Sequence, residues 1–229
     1  KDNAFREKTW PKGFGLEIDN ILAEFNIPAV KTKNAWVKNM NFMKNYIRNF
    51  VQQVNPNLDI MCTASMIVDD DQLNSDDAKL FGCDPDYNAY TEQANPKPNG
   101  ERGNLRSAGC HIHIGYPKCN PETSIKLVKY LDAYLGIPSI LIDTDAQRRK
   151  LYGKAGSFRL QPWGVEYRVL SSKFIDNDDL LKWVWYKIEQ AVNACHFGLS
   201  LPPAVLVQQA IDQTDVKLAK QLIEKYNLD

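Results

Sequence analysis

No run in these 229 residues approaches the ~20 consecutive apolar side chains that a helix needs to cross a bilayer. No membrane partner is therefore expected. Charge of one sign is lacking too. The 28 Lys+Arg residues are matched by 28 Asp+Glu, so the net charge is zero, and a general nucleic-acid binder would need a basic surface. The five cysteines, at 62, 83, 110, 119 and 195, form no CxxC pair and are odd in number. That usage suits a reduced, cytoplasmic chain, with a single disulfide still compatible. The start, Lys1-Asp2-Asn3, leads into polar residues and not into an apolar signal core. Repeats and low-complexity tracts are absent. With 44% hydrophobic and 24% charged residues, disorder, collagen, coiled coil and a secreted mini-protein are all excluded. The length can bury a sizeable core.

What is present is a mixture of strands and helices without a regular βαβ rhythm, which indicates an α+β fold. Phe14 to Ile27 reads as one or two strands ended by Pro28. Trp36, Met40, Met43, Ile47, Phe50 and Val54 recur at steps of four and three, predicting an amphipathic helix over Asn34 to Val54. Leu58 to Val68, Phe81 to Tyr90 and Arg106 to Tyr116 read as further strands. Asn120-Pro121 is a helix start, broken at Gly136-Ile137-Pro138 and followed by a second helix to Tyr152. Ser157 to Leu160 and Val165 to Leu170 predict a hairpin around Pro162-Trp163-Gly164. Asp178 to Gly198 is a helix with Leu181, Val184, Ile188, Ala191, Val192 and Cys195 on one side, and Thr214 caps a shorter last helix.

Residues two apart on a strand share a face. Four of these strands put a polar pair on one face: Glu24 with Asn26, Asp84 with Asp86, His111 with His113, and Glu166 with Arg168. A single such pair is usually a half-solvated strand. His-x-His is more telling, because only three histidines exist and neutral imidazole is a common metal ligand. If the four strands share one antiparallel sheet, their polar faces converge, and carboxylates mixed with imidazole favour Mg²⁺ or Mn²⁺ over zinc. A second signal is cationic: Arg148, Arg149, Lys150, Lys154, Arg159 and Arg168, interleaved with Gly153 and Gly156. Such a helix end running into a glycine-containing loop suits a polyphosphate, although the same residues could form a solvated helix face.

With those segments in hand, the sequence resembles the phage-type carboxylate–amine (COOH–NH₂) ligases, type 2, of the glutamine synthetase-like superfamily. The resemblance runs over roughly Lys1 to Ser172. It is carried by Asp19-Asn-Ile-Leu-Ala-Glu-Phe-Asn-Ile-Pro28, Phe81-Gly-Cys-Asp-Pro-Asp-Tyr-Asn-Ala-Tyr90, Arg106-Ser-Ala-Gly-Cys-His-Ile-His-Ile-Gly-Tyr116, and Arg148 to Arg159 running into Gly164-Val-Glu-Tyr-Arg-Val-Leu-Ser171. His-Ile-His-Ile-Gly and Gly-Val-Glu-Tyr-Arg are its most specific parts.

The resemblance implies a single ligase domain over 1–229. Its antiparallel sheet (14–172) would hold ATP and Mg²⁺ or Mn²⁺ on a concave face, with helices on the other face and a helical C-terminal part over 173–229. It implies an ATP-dependent enzyme that phosphorylates a small-molecule or peptide carboxylate and then lets an amine attack the acyl phosphate. By the same resemblance Glu24, His111 and Glu166 are metal ligands, and Asp86 and Asp84 are ligands or the acceptor of the amine proton. His113 and Arg168 hold phosphate oxygens, while Arg159, Lys154 and Arg148 neutralise the transferring phosphoryl group. Family members usually begin with an acidic strand that should precede Lys1. Its absence predicts an incomplete metal site, for which Glu17 and Asp19 are weak substitutes. The location implied is the cytoplasm, that of the host cell if phage-encoded. Homo-oligomers occur in the wider superfamily, and no interface is legible here. Two rivals are a metal-dependent hydrolase, in which His196 would need to join the site but reads as a core or partly satisfied histidine, and a non-catalytic nucleotide-binding member of the ligase fold.

Overall fold

The computed structural model describes residues 10–19, 21–74, 86–96 and 103–229. Phe14 to Ile27 forms a hairpin of β1 (Gly15–Asp19) and β2 (Leu22–Asn26), paired antiparallel in a sheet of its own. The helix α1 (Lys33–Val54) follows, with the Thr32 hydroxyl accepting from Ala35 N. Met40, Met43 and Ile47 of its stripe are buried, but Phe50 and Val54 are exposed. The stripe therefore outlasts the surface that it packs on.

Of the strand expected over Leu58 to Val68, only β3 (Ser65–Ile67) forms. A short 3-10 turn over Asp70–Leu73 follows it. The strand expected over Phe81 to Tyr90 is described as β4 (Tyr87–Asn88), its first half lying outside the described residues. Arg106 to Tyr116 is not one strand. β5 (Leu105–Ser107) pairs with β3, and β6 (Ile112–Gly115) joins a different sheet. Between them Ala108, Gly109 and Cys110 keep a looser ladder with 170–172, through Cys110 N–Leu170 O at 3.0 Å and Ser172 N–Ala108 O at 3.0 Å.

The helix α2 (Pro121–Leu131) opens with a reciprocal capping box between Asn120 and Thr123. The expected break at Gly136-Ile137-Pro138 does not occur. A π turn over Asp132–Gly136 carries the helix into Ile137–Ser139, and this shift of register accommodates a proline that lacks an N–H. The next helix, α3 (Ala146–Leu151), is shorter than expected and is capped by Asp145. The hairpin β7 (Ser157–Gln161) and β8 (Gly164–Tyr167) forms where the sequence places it. A 3-10 turn over Ser172–Ile175 leads to α4 (Asp178–Phe197), which ends at Gly198 in the left-handed conformation. Then come α5 (Ala204–Asp212) and α6 (Val216–Tyr226). Asp215, not Thr214, caps α6, its carboxylate accepting from Leu218 N.

The largest sheet has the order β4-β7-β8-β6, antiparallel throughout. Phe158, Tyr167 and Ile112 lie side by side in register on its buried face. They join Leu127, Val128 and Leu131 of α2 and Leu181 and Val184 of α4 in one core, which α5 and α6 complete. The arrangement is α+β with helices behind a sheet, as expected. The expectation that Glu24 shares this sheet fails, because β2 belongs to the separate hairpin. Among the described residues no helix is long and apolar enough to cross a membrane.

Candidate active site

With Tyr167 and its neighbours facing the core, the alternate residues of the same strands face outward. Glu166 on β8 stands opposite His113 on β6 and Arg159 on β7. Opposed residues of an antiparallel pair project to one side, so an imidazole, a carboxylate and a guanidinium form a row across three strands. One step along, Arg168 follows Glu166 on that side, beside Ser157, whose carbonyl accepts from Arg168 N at 3.0 Å. Asn88 of β4 extends this second row through its pairing with Ser157.

Arg168 is the centre of the polar contacts. Its Nη1 donates to Glu166 Oε1 in a very short contact and lies 3.1 Å from His111 Nδ1, while its Nε is 3.6 Å from Asp86 Oδ2. Glu166 Oε1 also lies 3.3 Å from His111 Nδ1 and 3.8 Å from Arg159 Nη1, and its Oε2 accepts from Gln161 Nε2 at 3.1 Å. Burial, and then the positive charges of Arg168, Arg148 and Arg159, push the His111 imidazole well below its ordinary range. It is therefore neutral near pH 7. Its Nδ1 stands between Arg168 Nη1, which can only donate, and the Glu166 carboxylate, which can only accept. That ring approaches the backbone closely: a Cβ on Gly109 would come within 2.8 Å of Nε2.

The other cations divide sharply. Arg148 and Arg149 are buried. Arg148 Nη2 donates to Leu170 O at 2.8 Å and Nη1 to Ser107 Oγ at 2.7 Å, while Arg149 Nη1 donates to Val169 O at 2.7 Å and to Gly153 O. Burial, with Arg149 next to it, pushes Arg148 down to about 9, an effect that the charge of Asp143 opposes. Both arginines tie α3 to the exit of β8, so Arg148 is committed to the interior and not to the polar face. Lys154, in the loop between α3 and β7, is exposed. Two carboxylates hold that loop from behind. Asp212 Oδ1 accepts from Ala155 N at 2.7 Å, and Asp132 Oδ2 accepts from Gly156 N at 2.6 Å. Asp132 Oδ1 also accepts from the Tyr167 hydroxyl at 2.8 Å.

Of the residues expected to bind or react, the structure brings together Asp86, His111, Glu166 and Arg168, with Arg159 and His113 in the adjoining row. Glu24 lies in the β1–β2 hairpin opposite Glu17, and Asp84 is outside the described residues. Among the described residues no three His, Cys, Asp or Glu side chains gather closely enough to hold a metal ion. Among the described residues Arg168 stands between Glu166, His111 and Asp86 of the expected ligand set. His196, expected in the core, is exposed on α4. Sequence reasoning passed over three contributors. Gln161 bonds Glu166, Trp163 lies 5.3 Å from the His113 ring, and Asp132 braces the loop and β8. Gln161 was findable, because it sits opposite Gly164 on the same strand face as Arg159. Asp132 gave one signal, as the lone acid within the apolar run Leu131 to Ile142.

Residues 104–188 match the model of a protein family described as phage phiEco32-like COOH.NH2 ligase-type 2. The matched span contains His111, His113, Lys154, Arg159, Glu166 and Arg168 but not Glu24, Asp84 or Asp86. Comparison with curated proteins and with solved structures gave no match.

Proposed function

We propose that this chain, whose residues 104–188 match the phage phiEco32-like carboxylate–amine ligase family model, joins a carboxylate to an amine at the expense of ATP. The observation that carries the proposal is the row His113–Glu166–Arg159, with Arg168 and Asp86 beside it, on one face of the four-stranded sheet. Arginines and an imidazole on a rigid sheet suit a polyphosphate, whose transfer chemistry asks for positioning and charge stabilisation more than covalent help.

In the proposed reaction an oxygen of the carboxylate substrate bonds to the terminal phosphorus of ATP as the bond to ADP breaks. The amine nitrogen then bonds to the carbonyl carbon of the acyl phosphate, phosphate leaves, and the amine gives up a proton. In this reading Arg159, His113 and Lys154 meet the phosphate oxygens, and Arg168 meets a second anion. Asp86, a carboxylate at the edge of this face, is the proton acceptor. Gln161 and Arg168 fix Glu166, and Glu166 in turn orients Arg159 and Arg168. No metal step enters, because the described carboxylates and imidazole are arranged around a guanidinium. The chain would work in the cytoplasm, where ATP is available.

The test is to incubate the chain with ATP and Mg²⁺ against pools of amino acids, peptides and polyamines. The expected product has the mass of one carboxylate plus one amine less one water, formed together with ADP. ATP consumption that is indifferent to both pools would refute the reading.

A further inference from the structure

We infer that the indole ring of Trp163 is the stacking platform for the nucleobase, and that the triphosphate runs from it along the sheet toward Arg168. The inference rests on the ligase reading, in taking ATP as the nucleotide. Alternation gives the polar face a third row. Gln161 and Gly115 both stand opposite Gly164, one step beyond Arg159, Glu166 and His113 and on the same side. Two of the three positions in that row are glycines, and the ring of Trp163, from the β7–β8 turn, reaches its Gly115 end. The ring centroid is 5.3 Å from that of His113 at an angle of 40°. A Cβ on Gly115 would come 3.8 Å from Trp163 Cε3.

The ring is not what holds the turn. Trp163 O accepts from Tyr116 N at 3.1 Å and Pro162 O from Cys119 Sγ at 3.4 Å, so backbone carbonyls anchor it. Trp163 itself stays 45% exposed. A large aromatic surface is thus left facing solvent on a pinned turn, at the end of a row of side chains suited to phosphate. Every nucleobase has a π face, and stacking on an aromatic ring captures it without any contact to its edge. The order along β8 agrees. Rows on one face follow at roughly 7 Å. From Gly164 the chain passes Glu166, flanked by His113 and Arg159, and then Arg168 with Asp86 beside it. A base on Trp163 puts the sugar over the first step, the phosphates on the His113–Arg159 row and the acceptor carboxylate on Arg168. The reverse orientation would put the base among the charges of Arg168, Glu166 and Asp86, and the transferring phosphate on an indole.

The test compares a ligand that has a base with one that lacks it. ATP and inorganic tripolyphosphate are each titrated calorimetrically into the full chain, into Trp163→Ala and into Trp163→Phe. Trp163→Ala should bind ATP about tenfold more weakly, a loss of the size that removing one base–aromatic stack gives, and should leave tripolyphosphate affinity unchanged. Trp163→Phe keeps a ring and should bind ATP within about threefold of the wild-type chain. If Trp163→Ala does not fold, Trp163→Leu serves, since it fills the turn without a π face. Unchanged ATP affinity in the folded variant overturns the inference. So does an equal loss for tripolyphosphate, which would make the ring a support for His113. In amide formation the loss should fall on the KM for ATP and spare kcat. Trp163-dependent ATP binding without any amide would remove the ligase reading alone, and amide formation with an unaltered KM in Trp163→Ala would remove the inference alone.

Discussion

Asp132 makes the chain's stability depend on pH in a direction opposite to most carboxylates. It is fully buried on the π turn of α2, and burial pushes it from an ordinary value near 3.8 up to about 7, against hydrogen bonds from Tyr167 and Gly156 N that favour the ionised form. Above pH ~4 the unfolded chain has lost this proton while the native chain keeps it. The native state then binds more protons, and stability falls as pH rises until the folded value near 7 is passed. With one pH unit worth ~1.4 kcal/mol, the loss between pH 5 and pH 8 comes to about 2.5 kcal/mol. Asp132→Asn cannot titrate. Its carbonyl can accept from Gly156 N while its amide donates to the Tyr167 hydroxyl, so the fold should survive. Urea unfolding of both proteins at pH 5 and pH 8 should show the variant gaining about 2.5 kcal/mol on the wild-type chain across that interval. Parallel stabilities at the two pH values would refute the reasoning.

Three further outcomes follow from the geometry. Gly164→Ala should cost about 3 kcal/mol in urea unfolding, because the residue has φ of +156° and its Cβ would lie 2.0 Å from Ile114 O across the β6–β8 pairing; a cost under about 1 kcal/mol would mean that the ladder relaxes freely. Arg148→Met should lower stability by about 2–3 kcal/mol through loss of its bonds to Leu170 O and Ser107 Oγ, and leave the KM for ATP of the folded fraction unchanged. A raised KM with unchanged stability would put Arg148 on the polar face after all. Gly109→Ala should displace the His111 ring, whose Nε2 lies 2.8 Å from the added methyl position, and lower kcat while the melting temperature moves little; full activity would show that the ring position is unimportant.

The elements legible in the sequence were those whose signal is local. The Pro162-Trp163-Gly164 turn and the Asn120-Pro121 start each lie within one element and form as read, while of the α4 stripe Leu181, Val184 and Ala191 are buried and Val192 is exposed. Arg106 to Tyr116 was misread because alternation continues through Ala108-Gly109-Cys110, while the partner changes from β3 to β8 at that point. A strand's partner is not written in its own alternation. The same limit governs the site. His113, Glu166 and Arg159 share a face by period alone, so their convergence was readable once the hairpin was. Arg148 and Arg149 were not readable, because the carbonyls that bury them belong to Gly153, Val169 and Leu170 and are supplied by the fold. Nor was the place of Arg168 among the expected metal ligands, which depends on a side-chain direction that spacing does not fix.

The central claim is that the carboxylate is activated by phosphoryl transfer before the amine attacks. Pooled carboxylates labelled with heavy oxygen, supplied with ATP, Mg²⁺ and amines, test it through the phosphate that is released. The account predicts one labelled oxygen in each phosphate formed, appearing in step with the amide, because the acyl oxygen leaves on phosphorus. Phosphate carrying no label would mean that water, not the carboxylate, attacks ATP, and would contradict the account.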